Sequence, residues 1–421
     1  MLAVLALLAA ACGDDDAETS NDGSAESPSE TDNTTDAPTD DDGGGAAQLG
    51  DPNPATGDPV TVGFIGEGQT DAVDNRGEMV AAEAAVEYAN EYLNGAAGHV
   101  IELETCETGG TPAGAQDCVA EMASAGAVVI LNGVSGQAGT ISTEAEAAGI
   151  PFIQYAGVDR ATTQSENAAV ITNGLSALAG PAKIAQDQGD QKVAFMVIDV
   201  PAVADPLKAA GPIFFGNAGV EVEVVTIPPG TADATPQVQA AIGNGADHIS
   251  MIGDVTFCTS VLQAIETLGF DGTVTVIPQC FDEDSSGIVD TEGLIMATTR
   301  TSNPEDAEYA LFLAVMETFA EGGSIDDIAG GGYAAVVSFV RAMSDHPDGE
   351  MTSESVKAAL LAMSPQQIPL GLDGSMFQCD RQQIAITPAL CSTDAVVTVL
   401  DAEGQPSEYE TLDLAELLVI G

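Results

Sequence analysis

The sequence predicts an α/β protein with two lobes, each built on a doubly wound parallel sheet. The chain has 421 residues, which is more than one hydrophobic core usually holds. From Val60 onward, short β-rich apolar runs alternate with amphipathic helical segments. The alternation restarts near Lys192, so two series of right-handed βαβ units follow each other along the chain.

The first series is predicted from hydrophobic periodicity and from residues that start and stop helices. A helix over 76–93 has apolar residues at 3,4 spacing and ends at Asn94-Gly95. Thr111 and Pro112 are the cap and the first position of a second helix, and a third is expected over 136–148. The expected strands between these helices are 60–66, 100–106, 127–133 and 151–155.

The second series has the same rhythm, with the segment 170–174 as the expected first connection between the lobes. Its strands are expected at 192–199, 220–227, 248–254 and 273–279. Three further helices, expected over 304–321, 328–343 and 353–363, must join one lobe or the other. The β-like run 375–400 is interpreted as a terminal hairpin.

Acidic residues dominate the composition, with 66 Asp and Glu against 9 Lys and Arg, for a formal net charge of −57. This balance excludes a basic patch, so nucleic acids and anionic membrane surfaces are poor partners. An acidic surface keeps a protein hydrated and dispersed. A saline or otherwise demanding exterior and a lineage-wide acidic composition are the two alternative explanations of this acidity.

The N-terminus predicts export and lipid anchoring. Leu2–Ala11 is an apolar run too short to span a bilayer, and it is typical of a signal-peptide core. Cys12 follows directly, after three alanines, and this arrangement resembles a bacterial lipobox, in which the cysteine is lipidated; a buried cysteine in an ordinary helix is the alternative. Residues 1–12 are therefore predicted to be a signal peptide with its lipobox.

The segment 13–58 consists mainly of Asp, Ser, Thr, Gly and Pro, with 14 acidic residues and no Lys or Arg. Such a segment cannot bury enough apolar surface to offset the entropy lost on ordering. It is predicted to be a disordered, self-repelling acidic tether between the lipid and the folded lobes.

Six cysteines remain after Cys12, an even number that in an exported chain indicates disulfides. Proximity in sequence pairs Cys106 with Cys118, Cys258 with Cys280, and Cys379 with Cys391, although six cysteines allow fifteen connectivities. A zinc site is the rival interpretation. It is disfavoured because the chain has no CxxC motif and its three histidines lie far from these cysteines in sequence.

Several segments in order carry a resemblance to a known family. They include VTVGFIGEG, the pair NRG and YLNGAAG around the first helix, IELETCETGGTPAGAQDCVAEM, VVILNGVSGQ, AGIPFIQYAGVD, and the long run GVEVEVVTIPPGTADATPQVQAAIGNGADHISMIGD. Together they resemble the type I periplasmic binding proteins of branched-chain amino-acid (Leu/Ile/Val) ABC transporters, here in a lipoprotein form. The resemblance extends from residue 58 to about residue 405.

The resemblance implies a three-crossover hinge between the lobes and a ligand in the cleft. It implies an N-terminal lobe of 59–172 plus 299–346 and a C-terminal lobe of 173–298 plus 347–421. The ligand would stabilise the closed form, which the permease subunits of an ABC importer recognise. The protein is thus expected to be an exported, monomeric, lipid-anchored solute-binding protein at the cell surface or in the periplasm, with no cofactor, metal or catalytic residue.

The candidate ligand-binding residues follow from the rule that open parallel sheets bind ligands beyond the carboxyl ends of their strands. Ser135 with Gly136 is the sharpest candidate, since a serine at a helix start with free amides behind it suits a carboxylate; capping its own helix is the alternative and is compatible. Phe257 and Phe281 could line the pocket or belong to the core. The full set is Gln69, Ser135, Gly136, Gln137, Ala156, Gly157, Val158, Asp199, Phe257, Phe281 and Asp282.

The resemblance assigns roles to four of these positions. Ser135 and a hydroxyl residue at the position of Val158 would hold a ligand carboxylate, while the carbonyl of Ala156 and an acid near Asp282 would hold an ammonium group. Val158 has no hydroxyl, and the loop that begins at Asp199 is apolar and lacks an aromatic residue. The expected ligand is therefore an amino-acid-like, amide or carboxylate solute rather than a defined amino acid.

Two other functions remain as alternatives. One is a ligand-sensing module of the same fold, and the other is an exported enzyme, which needs a nucleophile or an acid–base pair in the cleft. The sequence contains no P-loop, GxSxG or HExxH motif. Gly66-Glu67-Gly68 begins a GxGxxG pattern, but Asp71 stands at its third glycine position.

Overall fold

The first sheet has five parallel strands, all joined by helical connections. The computed structural model describes residues 49–70, 74–281, 289–346, 349–385 and 387–419. The strand order is β2-β1-β3-β4-β5. The strands are β1 (Gly57–Gly66), β2 (His99–Glu107), β3 (Ile130–Asn132), β4 (Phe152–Gln154) and β5 (Ala168–Val170).

Helices cover both faces of this sheet. Val62 and Phe64 of β1 face one way, while the neighbouring Ile65 packs on the other side with Met122 and Ile141. The alternation of buried residues along a strand therefore fills two cores, as a doubly wound sheet requires. The connecting helices are α1 (Gly77–Tyr92), α2 (Pro112–Ala125), α3 (Ala138–Ala148) and the short α4 (Arg160–Gln164).

The second sheet has seven strands in the order β14-β13-β10-β9-β8-β6-β7. Its first five strands in sequence are parallel, and an antiparallel hairpin extends one edge. The elements are β6 (Lys192–Ile198), β7 (Glu221–Ile227), β8 (His248–Ile252), β9 (Thr273–Val276), β10 (Ile295–Thr298), and the later pair β13 (Asp394–Leu400) and β14 (Pro406–Asp413); the helices are α5 (Ser176–Gln188), α6 (Pro201–Ala218), α7 (Thr235–Gly243) and α8 (Val255–Leu268).

Three later helices return to the first lobe. Their buried side chains, such as Phe312, Tyr333 and Val356, join the core that contains Val62 and Phe64. None of the helices that the structure describes is long and apolar enough to cross a membrane. These elements are α9 (Ala307–Phe319), α10 (Asp327–Ala342) and α11 (Ser353–Ala362), followed by the short strands β11 (Gln366–Gln367) and β12 (Met376–Phe377).

The chain crosses between the lobes three times, which agrees with the expected hinge. The first crossing is 171–175, the second is 299–306, and the third lies at 392–393. The first and third run side by side, because Asn173 Nδ2 donates a hydrogen bond of 3.1 Å to the carbonyl of Thr393. Leu390 also pairs with Val170 at the edge of the first sheet.

Packing of the segment 349–391 differs from the expected lobe boundary. Met351, Leu360, Phe377 and Cys391 lie in the core of the first lobe, although 347–421 was assigned to the C-terminal lobe. Val356 and Leu360 anchor α11 in that core, while the hairpin and the following Leu414, Leu417 and Leu418 pack in the second lobe. That hairpin is 394–413 and not 375–400.

The expected signal peptide and residues 13–48 of the expected tether lie outside the described residues. Residues 49–58, expected to be disordered, are packed on the first lobe: Leu49 lies in its core, and the N–H groups of Asn53 and Ala55 donate to carbonyls of α1.

The structure contains the three expected disulfides. Cys106 at the end of β2 bonds Cys118 of α2, with Cα atoms 5.6 Å apart. Cys258 of α8 bonds Cys280, just before Phe281, and Cys379 bonds Cys391 beside the third crossing. Each bridge closes a loop of modest length and restricts the unfolded chain. Each is therefore expected to raise the free energy of unfolding by about 3 kcal/mol.

Glycines in α10 allow two helices of the first lobe to touch. A Cβ atom at Gly332 would lie 1.9 Å from the backbone carbonyl oxygen of Glu78 in α1. Gly331 lies against Gly133 at the end of β3 in the same way, since a Cβ at Gly133 would be 2.7 Å from the carbonyl carbon of Gly331. Only glycine permits this backbone approach.

We expect Gly332→Ala to destabilise the protein by about 3 kcal/mol or more, because the new methyl group must displace backbone. Gly216→Ala in α6 is the matched control, since a Cβ there meets nothing within 4 Å. The control should be stabilised by up to about 1 kcal/mol through helix propensity. Urea unfolding measures the change in the free energy of unfolding of each variant. Equal changes in the two variants would contradict the close contact between α1 and α10.

Candidate functional site in the interlobe cleft

The parallel strands bring the predicted loops to one edge of each sheet. In the first lobe, the loops after β1, β3 and β4 leave neighbouring strands at their carboxyl ends. Gln69 is exposed there and donates its N–H to Glu107 Oε2 at 3.4 Å. Val158 is 54% exposed, as expected for a residue at an open cleft edge.

Ser135 closes the turn before α3. Its Oγ accepts the N–H of Gln137 at 3.0 Å, and its carbonyl accepts the N–H of Ala138 at 3.3 Å. The Gln137 side chain donates to the carbonyl of Gly110 at 3.1 Å. Ser135 therefore stabilises the turn before the helix and does not cap it, since the N-cap residue is Gln137 and makes no side-chain cap hydrogen bond. The Ser135 hydroxyl keeps its own proton to donate to an acceptor. Its contact with a ligand, like that of Gly136, stays a prediction.

The loop after β4 packs against the first crossing. A Cβ at Gly174 would lie 2.3 Å from the carbonyl oxygen of Gly157, and a Cβ at Gly157 would meet the Gln154 side chain at the same distance. Ala156 donates its N–H to the carbonyl of Gly133 at 3.1 Å. The loop that carries Ala156, Gly157 and Val158 is thus held directly on the hinge.

A buried carboxyl group lies beneath the Ser135 turn. Glu78, the second residue of α1, is 0% exposed. Its Oε1 accepts the N–H of Val134 at 2.7 Å, while no described residue bonds its Oε2. Gly66 and Gly133 leave the space that the carboxyl fills, since a Cβ at Gly133 would lie 2.2 Å from Oε1. No pattern in the sequence indicates a buried carboxyl at Glu78, because a glutamate early in a helix is ordinarily solvated.

Burial raises the pKa of Glu78 to about 8, and the nearby Glu67 adds to the rise. The Val134 and Gly133 amides and the charge of Arg300 act in the opposite direction but do not offset the loss of solvent. Glu78 is therefore mostly protonated at neutral pH. A neutral carboxyl beneath the turn leaves the region around Ser135 open to an anionic group.

The second lobe contributes residues of different kinds to the cleft edge. Asp199 is exposed, and its N–H bonds the carbonyl of Ile227 at 2.8 Å. Phe257 is 5% exposed and packs over Gly253 in the core, which is the alternative that the sequence left open for it. Asp282 lies outside the described residues. Phe281 is half-buried and faces a cavity.

This cavity of about 210 Å³ joins the two lobes at the second crossing. One wall is apolar and includes Phe281, and the other carries Arg300 from the crossing and Asp327 from the start of α10. Arg300 was not among the residues predicted from the sequence, although a basic residue shortly after a strand is a signal in a chain with nine Lys and Arg. The lining residues are Pro278, Phe281, Met296, Thr298, Arg300, Ser302, Asp327, Gly404, Pro406 and Tyr409.

Larger concavities lie at the other ends of the sheets. One of about 800 Å³ is lined by Asp58, His99 and Met351, where strands of the first sheet begin. Another of about 530 Å³ surrounds the start of β9 in the second lobe. Neither is at the carboxyl ends of the strands, where doubly wound sheets bind ligands, so size alone does not identify the site.

Two α/β lobes joined by three crossings, with a cavity at the hinge, define a bilobal binding protein. A profile of the periplasmic binding protein family matches residues 59–390. The chain belongs to this family. Among proteins with curated functions, none matches this chain in sequence.

Solved structures share the fold. A putative branched-chain amino acid ABC transporter protein from Rhodospirillum rubrum is 16% identical, with a TM-score of 0.69 over 83% of this chain and 99% of that one. A solute-binding protein from R. palustris in complex with 4-hydroxybenzoate is 18% identical, with a TM-score of 0.64 over 85% and 97%. The isoleucine complex of LivJ from Streptococcus pneumoniae is 17% identical, with a TM-score of 0.61 over 84% and 99%.

We expect Glu78 to make the protein less stable as the pH rises from about 4.5 to about 8. The folded state keeps a proton over this range that the unfolded state releases, so the free energy of unfolding falls. Glu78→Gln removes this loss. Relative to wild type, its free energy of unfolding should rise by roughly 3 to 6 kcal/mol across the range. Urea unfolding at several pH values measures the difference.

Glu83→Gln is the control for this prediction, because Glu83 is exposed on the same helix. Its free energy of unfolding should stay parallel to that of wild type across the pH range. If Glu78→Gln also stays parallel to wild type, the carboxyl is not protonated in the folded protein.

Proposed function

We propose that this protein is the extracellular solute-binding protein of an ABC importer. It captures a small solute in the interlobe cleft, closes by hinge motion and presents the closed form to the permease subunits. The observation that carries the proposal is the cavity at the second crossing, whose walls come from both lobes and from the hinge itself. A ligand that contacts both lobes stabilises the closed arrangement more than the open one.

Family membership and the structural neighbours support this role. The neighbours include binding proteins whose complexes contain 4-hydroxybenzoate and isoleucine. The predicted contacts Gln69, Ser135, Gly136, Gln137, Ala156, Gly157, Val158, Asp199 and Phe281 lie in the loops and cavity at the carboxyl ends of the strands; Phe257 would support the pocket from the core. The protein would act without catalysis and without a cofactor.

A thermal-unfolding screen tests the function. Amino acids, amides, urea-like compounds and small carboxylates are added to the full chain, and calorimetry is suitable because the chain has no Trp. A solute at 100 times its Kd should add about 2.7 kcal/mol of stability. Small-angle X-ray scattering should then show a smaller radius of gyration with the solute. Chemical turnover of the solute would favour an enzyme, and stabilisation by no solute would contradict the proposal.

Ser135→Ala provides the site control for that screen. Loss of the hydroxyl should weaken binding of the solute about tenfold if the Ser135 hydroxyl donates to it. Ser124→Ala, on the exposed side of α2, should leave the affinity unchanged. Equal affinities of both variants would place the solute away from the Ser135 turn.

We also propose that the protein is exported and anchored through a lipid on Cys12, followed by the acidic tether, and that it acts as a monomer. In cells, Cys12→Ala should move the protein from the membrane fraction to the soluble fraction, because one covalent lipid supplies the anchor. Ser20→Ala in the tether is the control and should remain with the membrane. Membrane association of the Cys12 variant would refute lipid anchoring at this residue.

A further inference from the structure

Arg300 is a cation placed where most of the surface is acidic. The chain has nine Lys and Arg against 66 Asp and Glu, and one of those nine lies on the second crossing between the lobes. Its side chain is 15% exposed and lines the cavity of about 210 Å³. A guanidinium keeps its charge when it is buried, so it needs acceptors around it.

The described residues supply hydrogen-bond acceptors to only part of the Arg300 guanidinium. Its Nε lies 3.2 Å from Asp327 Oδ1. Its Nη1 is shielded from solvent and has no hydrogen-bond partner among the described residues. Nη1 points towards Gly330 of α10, where a Cβ would lie 3.1 Å away. Nη1 therefore faces α10 and not the cavity, whose lining does not include Gly330, so a ligand in the cavity meets the remaining, partly exposed part of the Arg300 side chain.

The rest of the cavity lining has an apolar side and a polar side. Pro278, Phe281 and Met296 form the apolar wall. On the polar side, the Tyr409 hydroxyl lies 2.7 Å from Ser302 Oγ and accepts the Ser302 N–H at 3.2 Å. A molecule that fits this cavity therefore has an acceptor group at one end and an apolar body at the other. The volume equals that of about seven water molecules, which suits a small organic acid.

The charges lining the cavity favour an anionic end group over a cationic one. Asp327 is the one acidic residue among the described lining residues, and it already pairs with Arg300. A ligand ammonium group would have to compete with Arg300 for Asp327. A ligand carboxylate can instead bind the positive charge of Arg300, and a hydrogen bond between two charged groups is stronger than one between neutral groups.

We propose that the cavity binds a small organic carboxylate, with its acid group on Arg300 and its apolar body on Phe281, Pro278 and Met296. This rests on the proposed function and names the solute class. Recognition by this subsite requires the carboxylate and does not require an ammonium group. Asp327 weakens the binding of the ligand carboxylate to Arg300, because it already bonds the guanidinium.

Titration calorimetry with five probes tests the class. The probes are 4-methylpentanoate, its amide 4-methylpentanamide, leucine, 4-hydroxybenzoate and 4-hydroxybenzamide. At least one of the two acids should bind, and its amide should bind about ten to a hundred times more weakly. Leucine should bind no more tightly than 4-methylpentanoate, which differs from it by the ammonium group alone.

Two substitutions that should change the affinity for the acid in opposite directions locate its carboxylate in the cavity. Arg300→Gln should weaken binding of the acid about ten- to a hundredfold, because the charged donors are lost. Asp327→Asn should tighten it several-fold, because the competing carboxylate is removed. Lys208→Gln is the charge-matched control, since Lys208 is exposed on α6, and it should leave the affinity unchanged.

Several results would overturn the carboxylate subsite. They are binding of neither acid, equal binding of an acid and its amide, binding of leucine without 4-methylpentanoate, or no tightening in Asp327→Asn. Thermal unfolding of Arg300→Gln without probe shows whether this variant folds. If it does not fold, the affinity of Asp327→Asn for the acid tests the carboxylate subsite. If the broad screen finds a neutral solute in the cleft, the binding-protein function stands and the carboxylate subsite falls.

Discussion

The contact between α1 and α10 through glycine is the constraint on which the rest of the structure depends. Gly331 and Gly332 bring the backbone of α10 against Glu78 and against Gly133 at the end of β3. The first lobe is therefore completed by a helix that follows the five parallel strands of the second sheet in sequence. The chain has to cross back to supply it, and it crosses again to form the hairpin of the second sheet. The hinge is the consequence of this exchange of segments.

The same contact connects the hinge to the cleft. Glu78 holds the Val134 amide below the Ser135 turn, and Gly330, in the same glycine run, lies against the Arg300 guanidinium. A movement of α10 relative to the second crossing would change the environment of both groups. Packed interfaces have discrete arrangements rather than continuous ones, so this region suits a switch between an open and a closed state.

The charges inside the cleft differ from the strongly negative charge of the surface. The net charge of −57 favours cations at the exterior. Within the site, however, Glu78 is neutralised by burial, and Arg300 supplies a positive charge that is paired with the exposed carboxylate of Asp327. The interior can thus receive an anion that the surface repels at a distance. Such a surface would slow the arrival of anionic solutes, an effect that salt screens.

The sequence by itself determined the elements and their local links. Each strand and helix of the two series has its own hydrophobic period, and the three disulfides join cysteines close along the chain, so both were predictable. The tertiary structure alone decided what depends on distant contacts. It put 349–391 on the first lobe, Phe257 in the core, Glu78 beneath the Ser135 turn, and Arg300 in the hinge cavity. A local pattern specifies which face of a helix is apolar, but it does not specify which sheet that face will cover.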